Sequence, residues 1–330
     1  MNNSFPDTTI TNTPSQSDWN GAVYRSYAVS APHRPTTKSF ILACSLFLLT
    51  FCTCLVAGTH FAIAYAHDQA VSWDDFLGAF SLMYRYPMAL AAGLPFALTL
   101  LSILLAHELA HFFACRHHHI RSSYPFFIPF PTLIGTMGAF ILIRSPIRTK
   151  RALFDVGASG PLVGFIVAIP ALIFGMLHAK FVPGLANPAD GFVLGTPLII
   201  RLFAPVFHPG VMAGNLLLHP VGRAAWVGLF ATSLNLLPAA QLDGGHILRS
   251  LSPRLHRYSS FVLPAGLILL GLFHFWMGWY VWGALLLGIR FLRTVPMHNP
   301  EPLDAKRGLA AVAALLIFIL CFMPAPFIEH

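Results

Sequence analysis

The sequence predicts an all-α polytopic membrane protein with about six transmembrane helices, and two observations lead to this fold class. Of the 330 residues, 56% are hydrophobic and only 10% are charged, whereas an average soluble protein carries roughly 25% charged residues. The apolar residues also form long uncharged runs, of the length that spans a hydrocarbon core of roughly 30 Å. Together these features exclude a soluble enzyme, a disordered protein and a coiled coil.

The charge pattern points to a membrane and not to a nucleic-acid partner. The net charge is +8, but the basic residues flank the apolar runs, where they act as topology determinants. Only twelve residues are acidic. Three of them, Glu108, Asp155 and Asp243, lie in or beside apolar runs, where an ionisable side chain is costly and indicates a functional site.

The N-terminal half begins with a polar segment, residues 1–38, which predicts a flexible cytoplasmic tail. A single integral membrane domain follows over residues 39–330. Its first three helices are predicted over 39–66, 88–115 and 152–179. Basic residues before the first helix and acidic ones after it place the N-terminus in the cytoplasm. We therefore expect a multi-pass protein of a bacterial-type plasma membrane.

The apolar run 126–143 is not predicted to span the membrane, because basic residues flank both of its ends. It contains several prolines and glycines, which favour a re-entrant or interfacial hairpin on the cytoplasmic side. Irregular backbone is tolerated at membrane depth only where protein or a wet cavity covers it. This segment is therefore a candidate wall of a site.

The C-terminal half is interrupted by prolines. Residues 180–221 contain six of them and predict an external loop with one or two short, partly buried helices. A helix over 224–237 then meets Pro238, which disturbs helical structure. Residues 258–289 predict a hairpin of two short helices, and residues 309–328 predict a last span.

The predicted second helix contains the sequence HELAH, from His107 to His111. Residues four apart share a helix face, so both imidazoles can bind one Zn²⁺. Glu108, beside them, is then placed to act as a general base on water. The same polar cluster is also compatible with the path of a zinc or proton-coupled transporter, or with histidines hydrogen-bonded between helices.

Asp243 is the candidate third ligand, since it is the one acidic residue between Asp190 and Glu301. It follows the proline-broken helix and precedes two glycines, which we expect to let the backbone unwind. Glu108 lies eight residues before Arg116, and Asp243 lies a similar distance before the next basic flank. The two acids can therefore meet at similar depth.

Other polar residues near the motifs have simpler interpretations. His246 is an alternative third ligand, although a less favoured one. His117–His119 are expected to form a solvated basic flank. Asp155 is expected to pair with a basic residue just before the third helix, namely Arg148, Lys150 or Arg151.

The two motifs together resemble those of the site-2 proteases, a family of intramembrane zinc metalloproteases. The family's second motif has the form N-x-x-P-x-x-x-x-D-G, and every fixed position matches the segment NLLPAAQLDGG that begins at Asn235. The resemblance covers a protease core over about 88–250, with no visible PDZ-like or CBS-like insertion. It implies that His107, His111 and Asp243 are zinc ligands.

The resemblance further implies that Glu108 is the general base and that Asn235 lies near the substrate carbonyl. The hairpin resembles the family's membrane-associated β-hairpin, which implies substrate binding by Gly135, Thr136, Met137 and Gly138. The implied activity is cleavage of transmembrane segments near the cytoplasmic side, in regulated proteolysis. The implied partners are the lipid bilayer and a membrane-protein substrate with a transmembrane helix. A transporter or an inactive scaffold of the same fold is the alternative.

Overall fold

The computed structural model describes residues 37–72, 85–186, 192–273, 276–290 and 302–329. Its helices are α1 (Thr37–Ala66), α2 (Leu94–His117), α3 (Lys150–Leu177), α4 (Leu198–Phe207), α5 (Pro220–Asn235), α6 (Asp243–Leu251), α7 (Pro253–Leu272), α8 (Gly278–Arg290) and α9 (Ala305–Cys321). Its strands are β1 (Phe126–Pro129), β2 (Thr136–Phe140), β3 (Lys180–Phe181), β4 (Phe192–Leu194), β5 (Leu216–Leu217) and β6 (Phe327–Glu329). A 3₁₀ turn, Pro87–Gly93, leads directly into α2.

Helices dominate the described part of the chain, and the predicted all-α polytopic membrane fold is confirmed. Four helical segments there are long and apolar enough to cross a membrane. They are α1, α3, α7 and the continuous segment formed by the 3₁₀ turn and α2. The helices α4 and α8 are apolar but shorter. The loop predicted over 180–221 contains α4 and a 3₁₀ turn at Ala213–Asn215, as expected.

The boundaries differ from the predicted ones at both ends of the chain. The predicted tail lies outside the described residues up to position 36, and its last two residues already belong to α1. The last span was predicted over 309–328, but α9 ends at Cys321. Pro324 and Pro326 follow it and cannot continue a helix. Beyond them β6 pairs antiparallel with β4, so the predicted end of this span was wrong.

The helix α3 lies at the centre of the bundle, where it contacts α2, α5 and α6. Its contact with α5 is close because glycines face each other. A Cβ atom built on Gly175 would lie 2.1 Å from the Cα of Gly222. Small residues let helix backbones approach in this way inside a membrane.

The segment 126–143 folds into the predicted hairpin. β1 and β2 pair antiparallel, with Phe126 opposite Phe140 and Phe127 opposite Ala139. The hairpin packs on α1, since the Thr53 hydroxyl donates to the Gly135 carbonyl at 2.6 Å. β2 also contacts α2, which carries the HELAH motif.

Asp155 has different partners from those predicted. The Arg307 guanidinium forms a bidentate ion pair with its carboxylate, with Nε–Oδ1 and Nη2–Oδ2 distances of 2.7 and 2.6 Å. His118 Nε2 lies 2.7 Å from the same Oδ2. The pairing with nearby basic residues was therefore wrong, because a helix 152 residues away supplies the arginine. His118 likewise belongs to this cluster and not to a solvated flank.

Candidate metal centre

The two histidines of the HELAH motif lie one turn apart on the face of α2 that points into the bundle. His107 and His111 are buried, with 5% and 6% of their surface exposed. Their Nε2 atoms are 3.0 Å apart. The α-helical spacing of four residues thus directs both ring nitrogens toward one point.

Asp243 completes a triangle of ligand atoms. It is the first residue of α6, and its Oδ2 lies 3.2 Å from Nε2 of both His107 and His111. Burial by itself raises the pKa of this carboxyl, but the charges and hydrogen bonds of the two histidines outweigh burial and hold the pKa below its usual range. Asp243 is therefore an ionised carboxylate beside two imidazoles.

The dimensions of this triangle fit a zinc ion. Its sides measure 3.0, 3.2 and 3.2 Å between the two ring nitrogens and the carboxylate oxygen. Tetrahedral zinc with Zn–N distances of about 2.0–2.1 Å separates its ligand atoms by about 3.3 Å. Two imidazoles and one carboxylate are also a donor set that catalytic zinc sites use. The assignment of these residues as zinc ligands stays a prediction that their geometry supports.

A contact from α3 orients the ring of His111. Its Nδ1 lies 2.7 Å from the carbonyl oxygen of Val156. Because a carbonyl only accepts hydrogen bonds, Nδ1 carries a proton, and Nε2 is the nitrogen that faces Asp243. This is the arrangement that orients histidine ligands in metalloproteins.

Glu108 lies next to the triangle but does not belong to it. Its side chain is buried, with 5% of its surface exposed. The backbone of Ile141, directly after β2, donates a hydrogen bond to its carboxylate, and its ionisable neighbours are His107, His111 and Asp243. The hairpin therefore contacts the predicted general base.

Glycines on one face of α3 make room for the two histidines. A Cβ atom built on Gly160 would lie 2.1 Å from His111 Nε2 and 2.7 Å from His107 Nε2. A Cβ on Gly164 would lie 3.1 Å from His107 Nδ1. These glycines let α3 pack directly against the two histidines.

The loop between α5 and α6 brings the second motif to the first. Asn235 is the last residue of α5, and its amide nitrogen lies 3.5 Å from His107 Nε2. The expectation that Gly244 and Gly245 unwind the backbone was wrong, since both lie within α6. They allow close packing instead: a Cβ on Gly244 would lie 2.0 Å from the carbonyl oxygen of Leu236.

Three polar residues of α7 hold this loop, and the sequence analysis missed them. Ser259 Oγ donates to the Pro238 carbonyl at 2.5 Å. The Ala240 amide donates to Ser260 Oγ, and His256 Nε2 lies 2.9 Å from the Ala240 carbonyl. A signal was present, because these side chains recur at helical spacing in an otherwise apolar run.

The remaining predicted site residues are not part of the ligand triangle. Gly135 packs on α1, and Thr136 Oγ1 donates to the Ile128 carbonyl within the hairpin. Met137 is exposed, and the space around Gly138 is open. His246 stays outside the ligand triangle, and burial lowers its pKa to about 4, so its ring is neutral at pH 7.

Comparison with known proteins identifies a matching family and several relatives. The model of peptidase family M50 matches residues 95–273. The chain is 30% identical, over 67% of its length, to the probable zinc metalloprotease EGY1, chloroplastic, of Oryza sativa subsp. japonica. It is 28% identical, over 77% of its length, to the probable zinc metalloprotease EGY2, chloroplastic, of Arabidopsis thaliana.

The chain spans 39% and 45% of the length of these two relatives. No solved structure matches it. The matched region runs from the start of α2 to the end of α7 and so contains both histidines, the glutamate and the aspartate of the centre.

Proposed function

The chain belongs to peptidase family M50, the site-2 protease family, and we propose that it is an intramembrane zinc endopeptidase. One observation carries this proposal more than any other. Three zinc-type ligand atoms lie within 3.2 Å of one another beside a buried glutamate, and two of them belong to a helix long enough to cross a membrane. Polar groups at that depth need a partner, and a metal ion provides one for all three.

The proposed chemistry is hydrolysis of a peptide bond. When bound to His107, His111 and Asp243, zinc supplies a Lewis acid that polarises the peptide carbonyl and acidifies water. Glu108 takes a proton from the attacking water and delivers it to the amine that leaves. Asn235, beside His107, donates a hydrogen bond to the oxygen of the scissile carbonyl as negative charge develops there.

The proposed substrate is a membrane protein whose transmembrane helix unwinds at the site. An extended peptide segment can pair with a free strand edge, and we assign that role to the hairpin. Met137 and Gly138 support it best, because they lie on its open side while β2 contacts α2. Gly135 and Thr136 contribute indirectly, by holding the hairpin in place.

A replacement in the hairpin tests this role. Exchange of residues 136–140 for glycine and serine should leave zinc bound and reduce cleavage of helical substrates. Zinc content and cleavage are measured on the same purified preparation. Full cleavage by the exchanged protein would contradict a substrate-binding role.

The proposed topology places residues 39–330 in one membrane domain, with residues 1–38 in the cytoplasm, in a bacterial-type plasma membrane. The metal centre is then near the cytoplasmic side, because Glu108 lies eight residues before Arg116 on α2. We propose regulated intramembrane proteolysis as the biological role. A cysteine scan with a membrane-impermeant reagent tests the orientation of the N-terminus.

The activity is tested in cells by comparing membrane-protein fragments made with the wild type and with Glu108→Gln. The glutamine variant keeps the shape of the side chain and loses the base, so fragments that depend on the protease should disappear. Metal transport that survives the substitution, without cleavage by the wild type, would favour a transporter. Identical fragment sets with no transport would indicate an inactive scaffold.

A further inference from the structure

Arg223 is a buried cation at the end of α5 that lies farthest from the metal centre. Only 4% of its surface is exposed, and its Nη1 atom has no hydrogen-bond partner. Its guanidinium lies 5.0 Å from the centre of the Phe61 ring. Within the described residues no carboxylate pairs with it. It lies 12 residues before Asn235, which is about 18 Å along a helix.

Two further features make this position unfavourable for an isolated positive charge. Arg223 is the fourth residue of α5, so it lies near the positive end of the helix dipole. A buried charge without a partner is also strongly destabilising. The Phe61 ring offsets only a part of this cost through a cation–π contact. An anion beside Arg223 would relieve both effects.

A cavity of about 50 Å³ lies against Arg223. That is room for about four water-sized positions. Its walls are mainly apolar and include Val71, Ile200 and Trp226. The indole of Trp226 already donates to the Gly195 carbonyl.

Thr196 contributes a second polar group to this cavity. Its hydroxyl oxygen accepts a hydrogen bond from Arg201 Nε at 3.2 Å. The hydroxyl hydrogen is then left to donate to a ligand. Arg223 and Thr196 thus bring two side chains with hydrogen-bond donors to the wall of one small, mainly apolar cavity.

We propose that this cavity binds a single carboxylate group, with Arg223 as its charge partner. One unit of positive charge matches one carboxylate, and the guanidinium fork matches its planar shape. The apolar walls fit a short aliphatic tail. A free short-chain monocarboxylate and an acidic side chain of another polypeptide share this chemistry. The site is separate from the proposed peptidase centre and does not depend on it.

The test uses the purified full chain in detergent, with propionate as the probe and propionamide as its neutral isostere. Equilibrium dialysis with labelled propionate should find one site per chain, and propionate at ten times Kd should raise Tm by about 2 °C. Propionamide should do neither. A second arm tests whether the carboxylate comes from an acidic side chain of a polypeptide. It compares the binding of a terminally blocked peptide that has one internal aspartate with the binding of the same peptide with asparagine.

Arg223→Met should reduce propionate binding at least tenfold, whereas Arg257→Met, which changes an exposed arginine of α7, should not. The methionine variant is expected to fold, because replacing a buried unpaired charge by an apolar side chain is often neutral or stabilising. If it does not fold, Arg223→Lys must still bind propionate and not propionamide. Equal binding by wild type and Arg223→Met, or equal binding of the two probes, would overturn the proposal.

Discussion

His107 and His111 lie on the same helix face, but the chain holds their rings differently. The His111 ring is held by a hydrogen bond from its Nδ1 to the Val156 carbonyl. The His107 ring instead packs against Gly164, whose Cβ position lies close to His107 Nδ1. Because Nδ1 of His111 donates to this carbonyl, Nε2 is the nitrogen left to bind a metal. The position of α3 therefore determines the chemistry of a residue on α2.

Asp243→Asn tests the third ligand. A neutral amide oxygen is a weaker zinc ligand than a carboxylate. Changes in outer-shell partners already lower metal affinity by about 10–100-fold, so loss of this ligand should lower zinc affinity by more than about 100-fold. Zinc content after dialysis against a graded chelator measures the effect. Asp304→Asn, at the start of α9, is the matched control and should bind zinc as the wild type does.

Asn235→Ala tests the proposed contact with the substrate carbonyl. Loss of one such donor costs about 10²–10³ in kcat, and zinc content should be unchanged because Asn235 lies outside the ligand triangle. Gln241→Ala removes an exposed carboxamide of the same loop and should leave kcat unchanged. An Asn235→Ala enzyme with normal kcat would remove this residue from the mechanism.

The residues of the centre differ in how far the sequence predicted them. The four-residue spacing of HELAH and the isolated acid in an apolar run were enough to select the three residues that the structure brings together. The roles of Ser259 and Ser260 were not predicted, because their partners are backbone atoms of another loop. A sequence pattern shows that a polar residue is present, but not what it binds.

At the scale of elements, α3 serves as a wall of the metal centre through its glycines. Gly160 lies against both histidine Nε2 atoms, which leaves no space for even a methyl group. The ligand triangle is therefore shaped by three helices and not by α2 and α6 alone.

Gly160→Ala should disrupt zinc binding with little effect on the rest of the fold. Its Cβ would lie 2.1 Å from His111 Nε2, so the rings must move, and we expect zinc affinity to fall at least 10-fold. Gly266→Ala on α7 is the control, since nothing lies within 4 Å of its Cβ position. The measurement is the zinc content of the two purified variants. Equal zinc content would show that α3 does not shape the metal site.

The element boundaries show where local sequence signals are insufficient. The break between α5 and α6 at Pro238 was predicted, because proline acts locally. The end of α9 was not, because the apolar residues beyond Cys321 belong to a strand that pairs with Phe192–Leu194. Apolar composition alone does not separate such a strand from a helix.

For the whole molecule, Asp155, His118 and Arg307 form a cluster that joins three helices. Asp155 lies on α3, Arg307 lies on α9, and His118 directly follows the last residue of α2. The cluster links the last helix to the two helices that surround the metal centre. Composition predicted a membrane protein, but this link depends on contacts between distant parts of the chain.

Arg307→Met should weaken the packing of α9. It removes two charge-assisted hydrogen bonds to a partly buried carboxylate, so we expect unfolding to become easier by about 1–3 kcal/mol. Denaturation in mixed micelles measures the change. Lys306→Met removes the neighbouring charge and should change stability by less than about 0.5 kcal/mol. Equal stability of both variants would mean that the cluster contributes nothing.

The most direct test of a zinc peptidase centre combines metal content with cleavage on purified protein in lipid. The wild type should hold one zinc per chain and cleave a helical membrane substrate. Glu108→Gln should hold the same zinc and cleave at least about 100-fold more slowly, because only the general base is lost. Cleavage by Glu108→Gln at the wild-type rate, or cleavage by a zinc-free wild type, would contradict the proposed function.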